Sequence, residues 1–292
     1  MAGKRLARIL WGAAFLLLGY HGVFPAPAAA QEGVPDDVLL GDTPHSADPA
    51  KFFRITAATG FDFTTGDFGT DADSDAWYLP TSVKVEWDML FAKLTVPYVF
   101  VDGDVVVIDG VPQGASAFTG KRNGIGDVVL AAGAGYYPVE GMLPAAELTG
   151  KVKFATANED KGLGTGEVDY SIQFDTWKPF GPVTPFATVG YTFYGDPPDV
   201  NLKNRAYVSG GAVLSLGKIG GPVFDRYSVG LVYDWAQSSI GGRGDIQGLS
   251  PFATIKLGRH FALDPYATIG LTSRAPDWGI GMQIRAFWEP LE

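Results

Sequence analysis

The chain contains no cysteine. No disulfide can staple it, so the support that exported domains often draw from such bridges must come from hydrogen bonding and packing. Histidine is almost as scarce, with only His21, His45 and His260. That leaves little material for a serine hydrolase or a histidine-ligated metal. Charged residues make up 18% of the chain, and acidic residues outnumber basic ones by 32 to 22. A nucleic-acid partner needs the opposite balance, so that class is excluded. No apolar run reaches the roughly 20 residues of a membrane-spanning helix. The longest, Ile9 to Tyr20, covers only about 12, and mean hydropathy is just +0.09.

What stands at the start is a targeting layout. Lys4, Arg5 and Arg8 precede the apolar stretch, and PAPAAA before Gln31 offers small residues for cleavage. Residues 1–30 are therefore expected to be a signal peptide, removed on export. Without them 19 basic residues face 32 acidic ones, a balance of −13. Residues 31–50 are polar, Asp-rich and Pro-containing, and read as a flexible periplasmic arm.

From residue 51 to 292 one pattern repeats. The segment EVDYSIQFDTW, Glu167 to Trp177, sets Val168, Tyr170, Ile172 and Phe174 against Asp169, Ser171, Gln173 and Asp175. Successive side chains of a strand point to opposite faces, so one face meets an apolar medium and the other a wet one. The alternation loosens at Thr176 and Trp177, where the strand is expected to leave the membrane. About twelve such runs follow one another, bounded by Gly, Pro, Asp or Asn, and none is convincingly helical. Alternation of this kind hides hydrophobicity from whole-chain averages.

Two features choose between a soluble sandwich and a membrane barrel. Long connections (66–76, 102–124, 157–166, 195–203, 238–248) take turns with short ones, as in outer-membrane barrels with long outer loops and short periplasmic turns. Aromatic residues bracket the apolar faces: Phe53 and Phe63, Trp87, Tyr98 and Phe100, Tyr191 and Phe193, Tyr227 and Trp235, Trp278 and Trp288. Amphipathic rings favour the headgroup levels, and the aliphatic residues between them fit the hydrocarbon band. The predicted fold is all-β: a single transmembrane up-and-down antiparallel β-barrel of about 12 strands in the outer membrane of a Gram-negative bacterium.

The opposite face then lines a lumen and carries both signs. Lys84, Glu86, Lys151, Lys153, Asp169, Arg205, Asp234 and Arg285 are the lining candidates, since a Lys or Arg facing lipid at the midplane costs about 2–4 kcal/mol. Such a lining can act as a selectivity element or as a structural salt-bridge network. Asp71, Asp73 and Asp75 alternate like the start of a calcium loop. Ala76 and Ser82 stand where the glycine and the bidentate glutamate belong, so no metal site is expected there. KGLGTGE, with Gly162, Gly164 and Gly166, precedes no helix and reads as a hairpin loop, not a phosphate cradle. The longest loop, DGDVVVIDGVPQGASAFTG, holds an apolar VVVI run. It can extend the third strand, pack on other loops, or fold inward as a constriction; the first two are the ordinary outcomes and are expected ahead of the third. No pattern calls for a cofactor.

WYLPTSVKVEW, GIGDVVLAAGAGY, LTGKVKFATANEDKGLGTGEVDYSIQFDTW, TPFATVGYTFYGDPP and APDWGIGMQIRAFW together resemble a family of proteobacterial outer-membrane proteins grouped as candidate transporters and labelled meta-pathway phenol-degradation proteins. The resemblance spans Phe52 to Trp288. It implies a non-enzymatic barrel that passes small solutes, some members aromatic compounds, and it carries no catalytic residue over. Where many outer-membrane barrels end on an aromatic residue, Phe287 and Trp288 are here followed by EPLE. The expected partners are outer-membrane lipid and lipopolysaccharide, the barrel-assembly machinery and a small solute. The alternatives are a plugged structural or binding barrel that works through its loops and, third, a lipid hydrolase.

Overall fold

The computed structural model describes residues 53–108, 110–114, 118–138, 142–198, 201–240 and 244–289. The expected signal peptide (1–30) and arm (31–50) lie outside them.

The described residues form fifteen strands, twelve staves' worth from the alternating runs and the rest from the longest loop: β1 (Phe53–Gly66), β2 (Ser74–Trp87), β3 (Leu90–Asp102), β4 (Val105–Ile108), β5 (Val111–Gly114), β6 (Lys121–Ile125), β7 (Val128–Tyr136), β8 (Ala145–Phe154), β9 (Asp169–Trp177), β10 (Val183–Phe193), β11 (Arg205–Ser215), β12 (Tyr227–Ala236), β13 (Ile246–Lys256), β14 (Phe261–Gly270) and β15 (Trp278–Trp288). Thirteen of them form one sheet. Strands β6 and β7 lie end to end along β3, β6 against Tyr98 to Asp102 and β7 against Leu90 to Thr95, so together they make one stave. The ring therefore has twelve staves, each antiparallel to its neighbours, and it closes where β1 pairs with β15. Closure satisfies every edge, which the hydrocarbon core requires.

Register confirms the two faces. Along β10, Val183, Pro185, Ala187, Val189, Tyr191 and Phe193 are exposed while Thr184, Phe186, Thr188, Gly190 and Thr192 are buried. The exposed set faces lipid and the buried set the interior. Aromatic residues meet at the strand ends on the outward surface. Phe63 packs on Trp77 at 4.8 Å and on Trp278 at 5.5 Å near the long-loop end, and Phe53 meets Trp288 at 6.1 Å near the short-turn end. One departure is the 216–226 turn, where a four-residue helix α1 (Gly217–Gly220) is followed by a 3-10 turn, Pro222–Phe224.

The interior wall is fitted by a cross-strand device. Five inward aromatic rings stand directly opposite a glycine on the next stave: Tyr207 with Gly190, Phe186 with Gly211, Phe252 with Gly230, Tyr266 with Gly281 and Phe91 with Gly133. A Cβ at Gly190 would lie 2.1 Å from the Tyr207 ring, and one at Gly281 would lie 2.2 Å from that of Tyr266. The missing side chain lets each ring lie flat across its neighbour, which joins staves and keeps the ring against the wall.

Candidate functional site: the barrel interior and its mouth

Each of the eight lining candidates falls on an inward strand face. Lys84 and Glu86 pair at 2.8 Å at the short-turn end of β2, with the Lys84 ammonium also over the Phe91 ring. Lys151 is half-buried on β8, two residues before Lys153 on the same face. Lys153 is 3% exposed and holds two carboxylates, Asp127 at 2.8 Å and Asp169 at 2.9 Å. It also donates to the Thr165 hydroxyl and the Glu167 carbonyl. Arg205 is buried at the start of β11, and Asp234 is buried on β12, where it accepts from Ser209 Oγ at 2.6 Å. Arg285 forms a two-pronged pair with Asp264, Nε at 2.6 Å and Nη2 at 2.8 Å, and Thr254 completes that carboxylate's partners. The candidates are thus distributed around the wall; within the set Lys84 touches Glu86 and Lys153 touches Asp169.

The interior is not uniformly polar. Tyr137, Ala145, Trp177, Phe186, Val213, Val232, Phe252 and Tyr266 form a continuous inward cluster. Backbone register connects it: Ala145 opposes Trp177, Trp177 opposes Phe186, and Phe252 opposes Tyr266. Polar groups edge it: the Tyr137 hydroxyl donates to Glu147 at 2.5 Å, Tyr207 to Gln173 at 2.9 Å, and Tyr266 to Asp62. Trp177 corrects the sequence reading. It does not leave the pattern but continues the inward series Asp169, Ser171, Gln173 and Asp175, and it is 2% exposed. Residue type alone assigns apolar side chains to lipid and so does not reveal this apolar belt. The available signal is phase: Trp177, Phe186, Phe252 and Tyr266 each fall on the face that their own strand otherwise gives to Thr, Ser or Asp.

At the long-loop end the longest loop folds inward, the outcome placed last from sequence. Val105 to Ile108 are buried throughout, and β4 pairs with β5 as a separate hairpin. Val105 and Val107 pack on Tyr78, Val99 and Val101, which lie on the inner faces of β2 and β3, and on Phe68 and Leu163. Val111 reaches Ile246 and Ala275, and Gln113 accepts from Ser239 Oγ at 2.7 Å. Those contacts belong to β13 and its neighbouring loops, so the hairpin crosses the mouth from the β3 side of the ring. An apolar strand gains its burial there, where water on an outer surface would penalise it. The loop still extends the third stave as well, through β6 on β3.

Other loops hold the hairpin down. Val107 N–H donates to the Gly162 carbonyl at 3.1 Å, and Asp104 N–H to Ser74 Oγ at 3.1 Å. Arg122 donates to the carbonyls of Gly103 and Val105. Burial pulls the Arg122 guanidinium down from its ordinary range, while Asp104 and Asp102 push the other way. KGLGTGE is a loop, as read: an Asn158-capped 3-10 turn ends at Gly162, with φ 63°. A Cβ there would meet the Phe118 ring at 2.7 Å. Asp71, Asp73 and Asp75 remain exposed, and among the described residues no group of three or more His, Cys, Asp or Glu is placed to hold a metal ion.

Comparison with known proteins agrees with this architecture. The COG4313 outer membrane channel from Pseudomonas putida F1 superposes with a TM-score of 0.60 at 13% identity, covering 84% of this chain and 99% of that one. The translocator domain of the autotransporter NalP from Neisseria meningitidis gives 0.41 at 11% identity, over 91% and 96%. OprB of Pseudomonas putida gives 0.39 at 7%, over 82% and 95%. At these identities the first likeness speaks for the fold, and the other two add no argument. No curated protein matches the chain. A family model described as "Putative MetA-pathway of phenol degradation" matches residues 53–287, from the first strand to the last, and the chain therefore belongs to that family of outer-membrane β-barrels.

Proposed function

We propose that the barrel is an outer-membrane channel for small solutes, with the β4–β5 hairpin as its constriction. The observation that carries this reading is the inward hairpin, tied to both sides of the mouth above a wall that carries paired charges. A barrel with a purely structural role needs no such bar, because closure of the sheet already satisfies its edges. A solute entering past the hairpin exchanges part of its hydration for the hydroxyls, carboxylates and cations of the inner face.

The apolar belt supports a finer reading, in which the solute carries an aromatic ring. Trp177, Phe186, Phe252 and Tyr266 line the inner wall with aromatic rings, the kind of surface on which another ring stacks, and Tyr137, Glu147 and Asp62 set hydrogen-bonding groups beside them. The family description points to the same class. The reading is non-enzymatic: His260 sits exposed in the 257–260 turn, away from the mouth.

Liposome swelling with the purified mature protein tests this. Arabinose and phenyl glucoside, an aromatic solute too polar to cross the bilayer unaided, are the probes, and a variant with residues 104–119 replaced by a short Gly-Ser linker is the comparison. Faster swelling in the variant for both solutes, with phenyl glucoside also entering through the wild-type protein, is expected. Folded protein that passes neither solute with or without the hairpin overturns the proposal and favours the plugged structural barrel.

A further inference from the structure

The short-turn rim carries a feature that solute passage does not use. The 216–226 turn is built, not slack: Leu216 N–H donates to the Tyr227 carbonyl at 3.0 Å, Gly221 to Gly217 at 3.0 Å, and Phe224 to Gly221 at 2.9 Å. Yet it presents Ile219 at 63%, Val223 at 77% and Phe224 at 45% exposure. The neighbouring 178–182 turn adds Phe180 at 61%. Ordered loops do not ordinarily offer water a contiguous set of large apolar tips.

Charge on this arc of the rim, between β9 and β14, has one dominant sign; the 87–90 and 137–144 turns outside it bring Asp88 and Glu140 instead. The turns at 178–182, 216–226 and 257–260 contain Lys178, Lys218, Arg226 and Arg259, and Asp225 is their single acidic residue. Lys218 also joins two of them, its ammonium donating to the Gly181 carbonyl at 3.4 Å. The opposite end is acidic, with Asp67, Asp71, Asp73, Asp104, Glu159, Asp160, Asp196 and Asp277 in its loops. The apolar tips also continue the lipid-facing surface, because the exposed Val183, Tyr227 and Phe261 stand at the strand ends next to these turns.

We infer that the rim between β9 and β14 is a docking surface for anionic phospholipid headgroups of the adjoining leaflet, with the 216–226 turn as its foot. Short turns face the periplasm in barrels of this kind, so the leaflet is the periplasmic one. Ile219, Val223 and Phe224 enter the boundary between headgroups and acyl chains. Lys178, Lys218, Arg226 and Arg259 reach the phosphates, their stems lying along the apolar surface. The foot fixes the depth and tilt of one side of the barrel independently of whether anything passes through it.

The absence of cysteine makes the test clean. Val223→Cys, in an exposed turn, accepts an environment-sensitive fluorophore, and Ala72→Cys at the other end provides the control. In vesicles of phosphatidylethanolamine and phosphatidylglycerol, the label at 223 is expected to shift to the blue and to be quenched by shallow spin-labelled lipid, while that at 72 stays water-like. In detergent, native mass spectrometry should show phosphatidylglycerol retained in preference to phosphatidylcholine. The triple variant Lys178→Gln, Lys218→Gln, Arg226→Gln should lose that retention by at least about ten-fold while keeping its heat-modifiable mobility. A water-like, unquenched label at 223 overturns the inference, as does retention unchanged in the triple variant. So does a label that shifts only when a periplasmic extract is added, which would make the occupant a protein.

Discussion

At the scale of single residues, the interior is organised by what glycine omits and by what charges find. Phe186 lies over Gly211, where an added Cβ would come within 2.7 Å of the ring and 2.2 Å of the Leu231 carbonyl oxygen. Backbone cannot yield as a side chain can. Gly211→Ala is therefore expected to destabilise the barrel by about 1–3 kcal/mol, read as a lower midpoint in urea-induced unfolding from lipid vesicles. Arg285 and Asp264 make the complementary case. Asp264→Asn removes the carboxylate charge paired with a buried guanidinium and should cost about 3–5 kcal/mol, while Asp264→Asn with Arg285→Gln should recover part of that loss in the same assay. A double variant no better than the single one would contradict the pairing. The inward position of Lys153, Asp169 and Arg285 was legible in the sequence, because a charge in an alternating strand has only one affordable face. The inward rings were not. An aromatic residue is compatible with lipid and with a packed interior alike, and only its phase within the strand, together with the glycine across from it, tells the two apart.

At the scale of elements, the hairpin is where local pattern and tertiary outcome diverge. The VVVI run is apolar on both faces, so alternation assigns it no side, and its neighbours at Phe68 and Leu163 are remote in sequence. Its burial depends on contacts that no short window contains. By contrast, strands such as β10 were readable because their two faces differ at every position. Val107→Asp places a charge among Tyr78, Val99 and Leu163, and it is expected to release the hairpin while leaving the twelve staves intact. Proteolysis of the intact protein in vesicles should then cut between 103 and 120 at least several times faster than in the wild type. Equal protection in both would mean that the hairpin is not held by this packing.

At the scale of the whole molecule, a closed ring of twelve antiparallel staves accounts for the missing cysteines, the near-neutral mean hydropathy and the alternating loop lengths together. Stability resides in a continuous hydrogen-bonded sheet whose apolar side is solvated by lipid. The folded chain should accordingly migrate differently on a denaturing gel before and after boiling, and a chain with one mobility in both lanes would not be this barrel. The proposed channel reading turns on the mouth, where the β4–β5 hairpin lies across the ring. Single-channel recording in planar bilayers, comparing the mature protein with the form in which residues 104–119 are replaced by a Gly-Ser linker, tests that most directly. The expected result is a small conductance that rises several-fold when the hairpin is removed; heat-modifiable protein that carries no current in either form would contradict it.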